Sequence, residues 1–185
     1  MASRPRLWTA DDLWELPGFE KIEMYDGHPT GPKAMYRRLS PFRRSMVEFR
    51  LIHHLGRHVF ARDLGFVGPG FGFVGTTGRG LHPPDIVFLR ADRLPKEREW
   101  DGLSLAPPDL AVEILSPVDE EERVADEIAA YLAGGVPLLW LIDSQRRTIA
   151  IHAPGRPVVT LADGDELDGG AVLPEFRVAV TDIFS

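Results

Sequence analysis

The sequence contains no cysteine among its 185 residues. This absence excludes a disulfide framework and any metal site built on thiolates. No apolar run approaches the ~18 to 20 residues that a membrane helix needs. The opening stretch, MASRPRLWTADDLWELPG, also lacks the apolar core of a signal peptide. We therefore expect a cytoplasmic protein with no membrane segment.

The composition favours one compact domain with a hydrophobic core. Hydrophobic residues make up 44% of the chain and charged residues 26%, which is ordinary for a globular protein of this length. We expect residues 1–185 to form a single domain.

Acidic residues outnumber basic ones, and the basic charge is concentrated in one segment. The net charge of −7 argues against a protein that coats nucleic acid along its whole surface. Eight basic residues lie between positions 31 and 62 beside one acid, Glu48, so this segment carries +7 and the other residues carry −14. Such a segment could contact a phosphate backbone, or its arginines could simply solvate a surface helix. The eight are Lys33, Arg37, Arg38, Arg43, Arg44, Arg50, Arg57 and Arg62.

Hydrophobic periodicity predicts three helices. A short one spans residues 9–16, and the stretch SPFRRSMVEFRLIHHLGRHVFARDLG forms a long one that Gly65 ends. The stretch VDEEERVADEIAAYLAGGVP forms the third, with Asp119 and Glu122 as a capping box and Gly134 after its last turn. The apolar stripe predicted for the long helix consists of Phe42, Met46, Phe49, Leu51, Ile52, Leu55 and Val59.

Short apolar runs between these helices predict strands. They are PPDIVFLR, DLAVEILS, LLWLID and RTIAIHA, and EKIEMYDGHP predicts a tight hairpin that turns at Asp26 and Gly27. Helices that alternate with strands in this order predict an α/β domain with a mixed central sheet flanked by helices.

A glutamate, Glu113, lies in the middle of the apolar strand DLAVEILS. A buried, unpaired carboxylate costs several kcal/mol or more, so Glu113 requires a partner. Asp109 points to the same side of the strand, but four residues at ~3.3 Å each place it roughly 13 Å away. The candidate partner is therefore Asp85, at the start of DIVFLR.

Two carboxylates on neighbouring strands form a site of the kind that binds Mg²⁺, which prefers oxygen ligands and keeps several waters. The alternative is structural: Asp85 caps the turn after Pro83 and Pro84, and Glu113 pairs with an arginine. Spacing alone leaves both interpretations open.

Three motifs in series resemble a known family. HPPDIVFL, PPDLAVEILSP and YLAGGVPLLWLID resemble the Uma-type (Uma-two) family of proposed endonucleases over roughly residues 81–143. The resemblance implies the PD-(D/E)xK restriction-endonuclease-like fold and a metal-dependent nuclease that uses Mg²⁺ (or Mn²⁺). It implies that Asp85 and Glu113 are catalytic metal ligands, assisted by the main-chain carbonyl of Ile114.

The sequence departs from the family pattern at the lysine. Two residues after Glu113, where the parent motif has lysine, stands Leu115. In the Uma-type pattern the lysine is displaced to the following helix, where this sequence has Glu127, and Arg123 stands at the preceding aspartate position. One hypothesis is that Arg123 supplies the missing cation and Glu127 acts as an extra metal ligand or base. The other is an ordinary i, i+4 ion pair that contributes about 0.3 to 0.5 kcal/mol.

Two further side chains are auxiliary candidates. Glu48 would be an acid recruited from the first long helix, unless it pairs with Arg44 or Arg50. His82 lies close to Asp85 in sequence and would contact a phosphate, unless it is an ordinary loop residue.

The leading functional prediction is a Mg²⁺-dependent endonuclease that acts on DNA. Its phosphate contacts would come from Arg43, Arg44, Arg50 and Arg57, and a homodimer would suit cleavage of both strands. The alternative is a nuclease-fold module that binds nucleic acid or a protein without cleaving. A hydrolase of small phosphorylated molecules would have no use for the basic segment.

Overall fold

The computed structural model describes residues 42–73, 83–94, 106–115 and 121–185, together with the backbone of 23–25 and 28–30. The predicted helix at residues 9–16, the capping residue Asp119 and His82 lie outside these ranges, as do Lys33, Arg37 and Arg38. None of the helices in the described ranges combines the length and the hydropathy that a membrane span requires.

Two short strands, β1 (Glu23–Tyr25) and β2 (His28–Thr30), pair antiparallel. Tyr25 lies opposite His28, so residues 26 and 27 connect the strands and the predicted hairpin is confirmed. The remaining elements, in chain order, are α1 (Phe42–Phe60), β3 (Gly65–Pro69), β4 (Ile86–Arg90), a 3-10 turn (Ala91–Arg93), β5 (Leu110–Ile114), α2 (Glu121–Ala133), β6 (Leu139–Asp143), β7 (Thr148–His152), β8 (Val159–Leu161), β9 (Glu166–Gly169), β10 (Leu173–Ala179) and α3 (Val180–Phe184).

Six strands form one mixed sheet in the order β3-β4-β5-β6-β7-β8. Strands β5 and β6 are parallel, and every other neighbouring pair in this sheet is antiparallel. A parallel pair needs a long crossover connection, and α2 lies in it. The predicted α/β fold with a mixed sheet flanked by helices is confirmed.

The two faces of β5 contribute to separate hydrophobic clusters. Leu110, Val112 and Ile114 pack in the cluster that contains the buried face of α1, whereas Ala111 packs with Tyr131 of α2. The alternation predicted from the sequence is therefore correct. Since side chains alternate along a strand, Glu113 belongs to the face that α2 covers.

Helix α1 packs on the sheet through a narrower stripe than the sequence predicts. Its fully buried row is Val47, Leu51, Leu55 and Val59, spaced by four residues. Phe42 and Phe49, which the prediction placed in the same stripe, are 81% and 65% exposed. The reason is geometric: each residue turns the helix by about 100°, and Phe42 lies nine residues and Phe49 two residues before Leu51, so both point to the opposite side of the helix from Leu51.

We predict that Leu51→Ala lowers the free energy of unfolding by about 2 to 5 kcal/mol, because it opens a cavity under α1. Phe49→Ala, two residues away, is expected to change it by no more than about 0.5 kcal/mol, since the ring is mostly in solvent. Urea unfolding of both variants measures the difference. A larger loss for Phe49→Ala than for Leu51→Ala would reverse the assignment of the two helix faces.

Candidate active site

Asp85 stands immediately before β4, beside the end of β5. Ile86 pairs with Val112, so continuing the antiparallel register by one residue places Asp85 opposite Glu113. The Asp85 N–H donates to the Val112 carbonyl (3.0 Å), and its carbonyl accepts from the Gly70 N–H (2.9 Å). The carboxylate turns toward β5, where its Oδ2 accepts the Ile114 N–H at 2.8 Å. Backbone hydrogen bonds on both sides thus fix the position of this acid.

The glycine at position 70 permits this arrangement. A Cβ atom there would lie 1.5 Å from the Pro84 carbonyl oxygen, so any larger residue would push the chain away from the start of β4. This close approach is the structural requirement for glycine at the end of β3.

Arg44 extends from α1 onto the same strand ends. Its Nη2 forms an ion pair with Oδ1 of Asp85, and its Nε donates to the Ile114 carbonyl at 3.0 Å. The residue is 8% exposed. Arg44 is one of the four arginines predicted to contact phosphate, and the buried face of α1 directs its guanidinium toward Asp85 and the Ile114 carbonyl.

Arg43, Arg50 and Arg57 remain at the surface of α1 as the prediction requires. Arg43 and Arg57 are exposed and Arg50 is partly exposed. They are spaced by seven residues, which is close to two helical turns, so they form one row along the helix.

Glu48, one turn after Arg44, lies near Asp85. Burial raises the pKa of Glu48, and the negative charge of Asp85 raises it further, while Arg44 lowers it. The pair with Arg44 is long, at 3.9 Å between Nη1 and Oε2. The first long helix therefore contributes an acid near Asp85, and the auxiliary role of Glu48 stays a prediction.

Glu113 has the partner that its burial requires, and this partner is a tyrosine. The residue is 4% exposed, and its Oε1 accepts a hydrogen bond from the Tyr131 hydroxyl. Burial raises the pKa of Tyr131 well above its ordinary value, followed by the charge of Glu113 and then, more weakly, those of Glu127 and Asp85. Tyr131 therefore stays protonated as the donor and lies within electrostatic reach of all three acids.

Sequence reasoning missed this role and gave Tyr131 no place in the site. The available signal was the combination of a buried carboxylate and a helix tyrosine, since a buried tyrosine hydroxyl usually finds a partner.

Arg123 and Glu127 form an i, i+4 ion pair along α2, 3.9 Å between Nη1 and Oε1. The Glu127 side chain is 17% exposed and that of Arg123 is 41% exposed. Of the two residues of this ion pair, Glu127 is therefore the one that lies at the edge of the site, one helical turn before Tyr131. The cation that contacts Asp85 comes from α1, and the role hypothesised for Arg123 stays a prediction.

Asp109 takes no part in the site. Its Oδ1 pairs with Arg93 (2.5 Å), and its Oδ2 accepts the Arg90 N–H (2.9 Å) at the other end of β5. Its separation from Glu113 along the strand agrees with the sequence argument.

The oxygen donors at the strand ends suit Mg²⁺ in kind. No three His, Cys, Asp or Glu side chains form a metal-binding group within the described ranges. Mg²⁺ needs fewer protein side chains than this, because it binds through one or two carboxylates and keeps several water molecules as its other ligands. Asp85 and the Ile114 carbonyl already converge on one cation, the Arg44 guanidinium, so this pair of oxygens can serve a positive ion.

A mixed sheet between helices, with acids at the ends of two neighbouring central strands, defines an α/β protein. The model of the Uma2 family, described as "Putative restriction endonuclease", matches residues 20–181, and the chain therefore belongs to this family. The resemblance noted from the sequence motifs is confirmed.

A solved structure agrees with this fold. The crystal structure of a "putative nuclease" from Anabaena variabilis, at 1.96 Å resolution, matches with a TM-score of 0.78 and 20% sequence identity. The match covers 95% of this chain and 97% of that one. At this identity the likeness shows the fold. No curated protein gives a significant match.

We predict that Tyr131→Phe lowers the free energy of unfolding by about 1 to 3 kcal/mol, because it removes a donor from the buried Glu113 carboxylate. The measurement is urea unfolding of Tyr131→Phe, Glu113→Gln and the double variant.

The double variant is the control for packing changes. If the hydrogen bond couples the two residues, the combined effect departs from the sum of the single effects by about 0.5 to 3 kcal/mol. Strict additivity would show that the hydroxyl and the carboxylate act independently.

Proposed function

We propose that the chain is an endonuclease that hydrolyses phosphodiester bonds of DNA with Mg²⁺ or Mn²⁺. The observation that carries the proposal is the convergence of Asp85 and the Ile114 carbonyl on one cation, beside Glu113. Family membership and fold support the same class of activity.

Asp85, Glu113 and the Ile114 carbonyl would hold the ion. When bound, a divalent ion of this kind lowers the pKa of a bound water and offsets charge on a phosphodiester. Tyr131 keeps the Glu113 carboxylate oriented through its hydrogen bond. Glu127 lies at the edge of the site as a candidate further ligand or base, with Arg123 as its cationic partner.

The arginine row of α1 is the proposed contact for the DNA backbone. Arg43, Arg50 and Arg57 present positive charge along one line, and charges of this kind position a duplex without reading its sequence. The expected homodimer belongs to the same proposal, since two sites related by two-fold symmetry would cut both strands.

We predict that Asp85→Asn and Glu113→Gln each reduce Mg²⁺- or Mn²⁺-dependent DNA cleavage about 100-fold or more, as the loss of one electrostatic group at a reacting centre typically does. Cleavage of a labelled duplex at fixed ion concentration measures the loss. The matched control is Asp126→Asn, an exposed acid of α2 next to Glu127, which is expected to cleave at the wild-type rate.

The same assay on Arg123→Ala and Glu127→Ala tests whether Arg123 supplies the cation and whether Glu127 is a ligand or base. Wild-type cleavage rates in both variants would exclude these two roles. Full activity in Asp85→Asn would refute the proposed site.

The triple variant Arg43→Ala, Arg50→Ala, Arg57→Ala is predicted to bind duplex DNA more weakly and with less dependence on salt. Three lost phosphate contacts should reduce the slope of log K against log[salt] by about 2.7. Fluorescence anisotropy over a salt series measures it, and Arg156→Ala, in the exposed turn after β7, is the single-charge control. An unchanged slope in the triple variant would place the DNA elsewhere.

A second function, a module that binds nucleic acid or a protein without cleaving, is favoured by one specific feature. Leu115 and Glu127 stand at both positions where a lysine is expected, so the usual positive charge beside the reacting phosphate is missing. DNA binding without cleavage at any Mg²⁺ or Mn²⁺ concentration would select this alternative.

A further inference from the structure

Arg44 places a positive charge where the proposed metal would sit. We propose that the Arg44 guanidinium occupies the cation position between Asp85 and the Ile114 carbonyl, and that a divalent ion must displace it in order to bind. Arg44 is thereby an internal competitor that keeps the site closed to metal. The inference rests on the proposed function for the location of the ion.

The contacts of Arg44 coincide with the proposed metal ligands. Its Nη2 pairs with Oδ1 of Asp85 and its Nε donates to the Ile114 carbonyl. The other oxygen of Asp85 accepts the Ile114 N–H. A metal ion bound to the same two groups would therefore meet the guanidinium at very short range, and two positive charges cannot share these oxygens without strong repulsion.

The shape and burial of Arg44 make it an effective competitor. A guanidinium is planar and presents several N–H donors in a fixed fork, so one side chain satisfies a carboxylate and a carbonyl together. The side chains of Arg44 and Asp85 are 10% and 19% exposed. At such low exposure water screens the pair weakly, so the attraction between the two charges is stronger than it would be at the surface.

Glu48 provides a second position for the guanidinium. Its Oε2 is 3.9 Å from Nη1 of Arg44, on the next turn of the same helix. A change of the Arg44 rotamer toward Glu48 would release Asp85 and the Ile114 carbonyl while keeping the cation paired. The competition is thus reversible without unfolding the helix.

The test is the Mn²⁺ and Mg²⁺ affinity of the full chain, measured by isothermal titration calorimetry in the absence of DNA. Arg44→Met is expected to lower the dissociation constant at least about tenfold relative to wild type, which corresponds to ~1.4 kcal/mol. Adding Asp85→Asn to Arg44→Met should abolish this gain. The control is Arg62→Met, an exposed arginine in the turn after α1, and it should bind the ions as wild type does.

A second variant and a second measurement guard against a folding defect in Arg44→Met. Arg44→Lys keeps a positive charge but loses the fork, so its ion affinity should lie between those of wild type and Arg44→Met. Thermal unfolding should show that both variants gain more stability from added ion than wild type does, because the stabilisation of the folded state by a ligand increases with the ligand's affinity.

Ion affinities in Arg44→Met and Arg44→Lys that equal or fall below that of wild type would overturn the competition, and so would the absence of ion binding in all forms. Failure of the competition can be distinguished from failure of the nuclease proposal. If wild type cleaves DNA while the Arg44 variants bind ions no more tightly, the competition fails and the nuclease stands. If the variants bind ions more tightly but no form cleaves DNA, the competition stands and the nuclease fails.

Discussion

The arrangement of the site depends on how the start of β4 is held against the end of β5. The Asp85 carboxylate accepts the Ile114 N–H, and the Asp85 N–H donates to Val112. These bonds extend the strand pairing past the last ladder residue, so an acidic side chain takes the place of a backbone carbonyl. Because backbone groups in a buried strand must be paired, this contact is structurally demanded as well as chemically useful. The side chains that surround these two strand ends come from helices: Arg44 and Glu48 from α1, and Glu127 and Tyr131 from α2.

Two helices on opposite faces of the sheet supply the partners that buried acids need. Helix α1 brings Arg44 and Glu48 to Asp85, and α2 brings Tyr131 to Glu113. One acid is thus paired with a permanent cation and the other with a neutral hydroxyl. This difference divides the site into a charged half under α1 and a hydrogen-bonded half under α2. These partners are needed because neighbouring carboxylates without them would repel one another and would lose their hydration with no compensating interaction.

The position of the positive charge distinguishes this chain from the motif it resembles. Leu115 and Glu127 stand at the two lysine positions, and the cation paired with Asp85 in the part of the chain that the structure describes is Arg44, 41 residues earlier in the sequence. Arg44 belongs to the same basic segment as Arg43, Arg50 and Arg57, which lie at the surface of α1. A single step of about 100° around the helix therefore separates an arginine that contacts carboxylates from one that is free to contact phosphate.

The sequence by itself determined the elements that carry the site: the strand that contains Glu113, the position of Asp85 at the start of the neighbouring strand, and the distance along the strand that separates Asp109 from Glu113. Local periodicity and strand geometry suffice for these, because they depend on neighbours along the chain. Only the tertiary structure decided that Arg44 points inward, that Tyr131 donates to Glu113, and that Phe42 and Phe49 face solvent. A helical repeat fixes the spacing of side chains but not which side meets the sheet. The bond from Arg44 to Ile114 spans 70 residues, so it exists only once α1 has packed against the sheet.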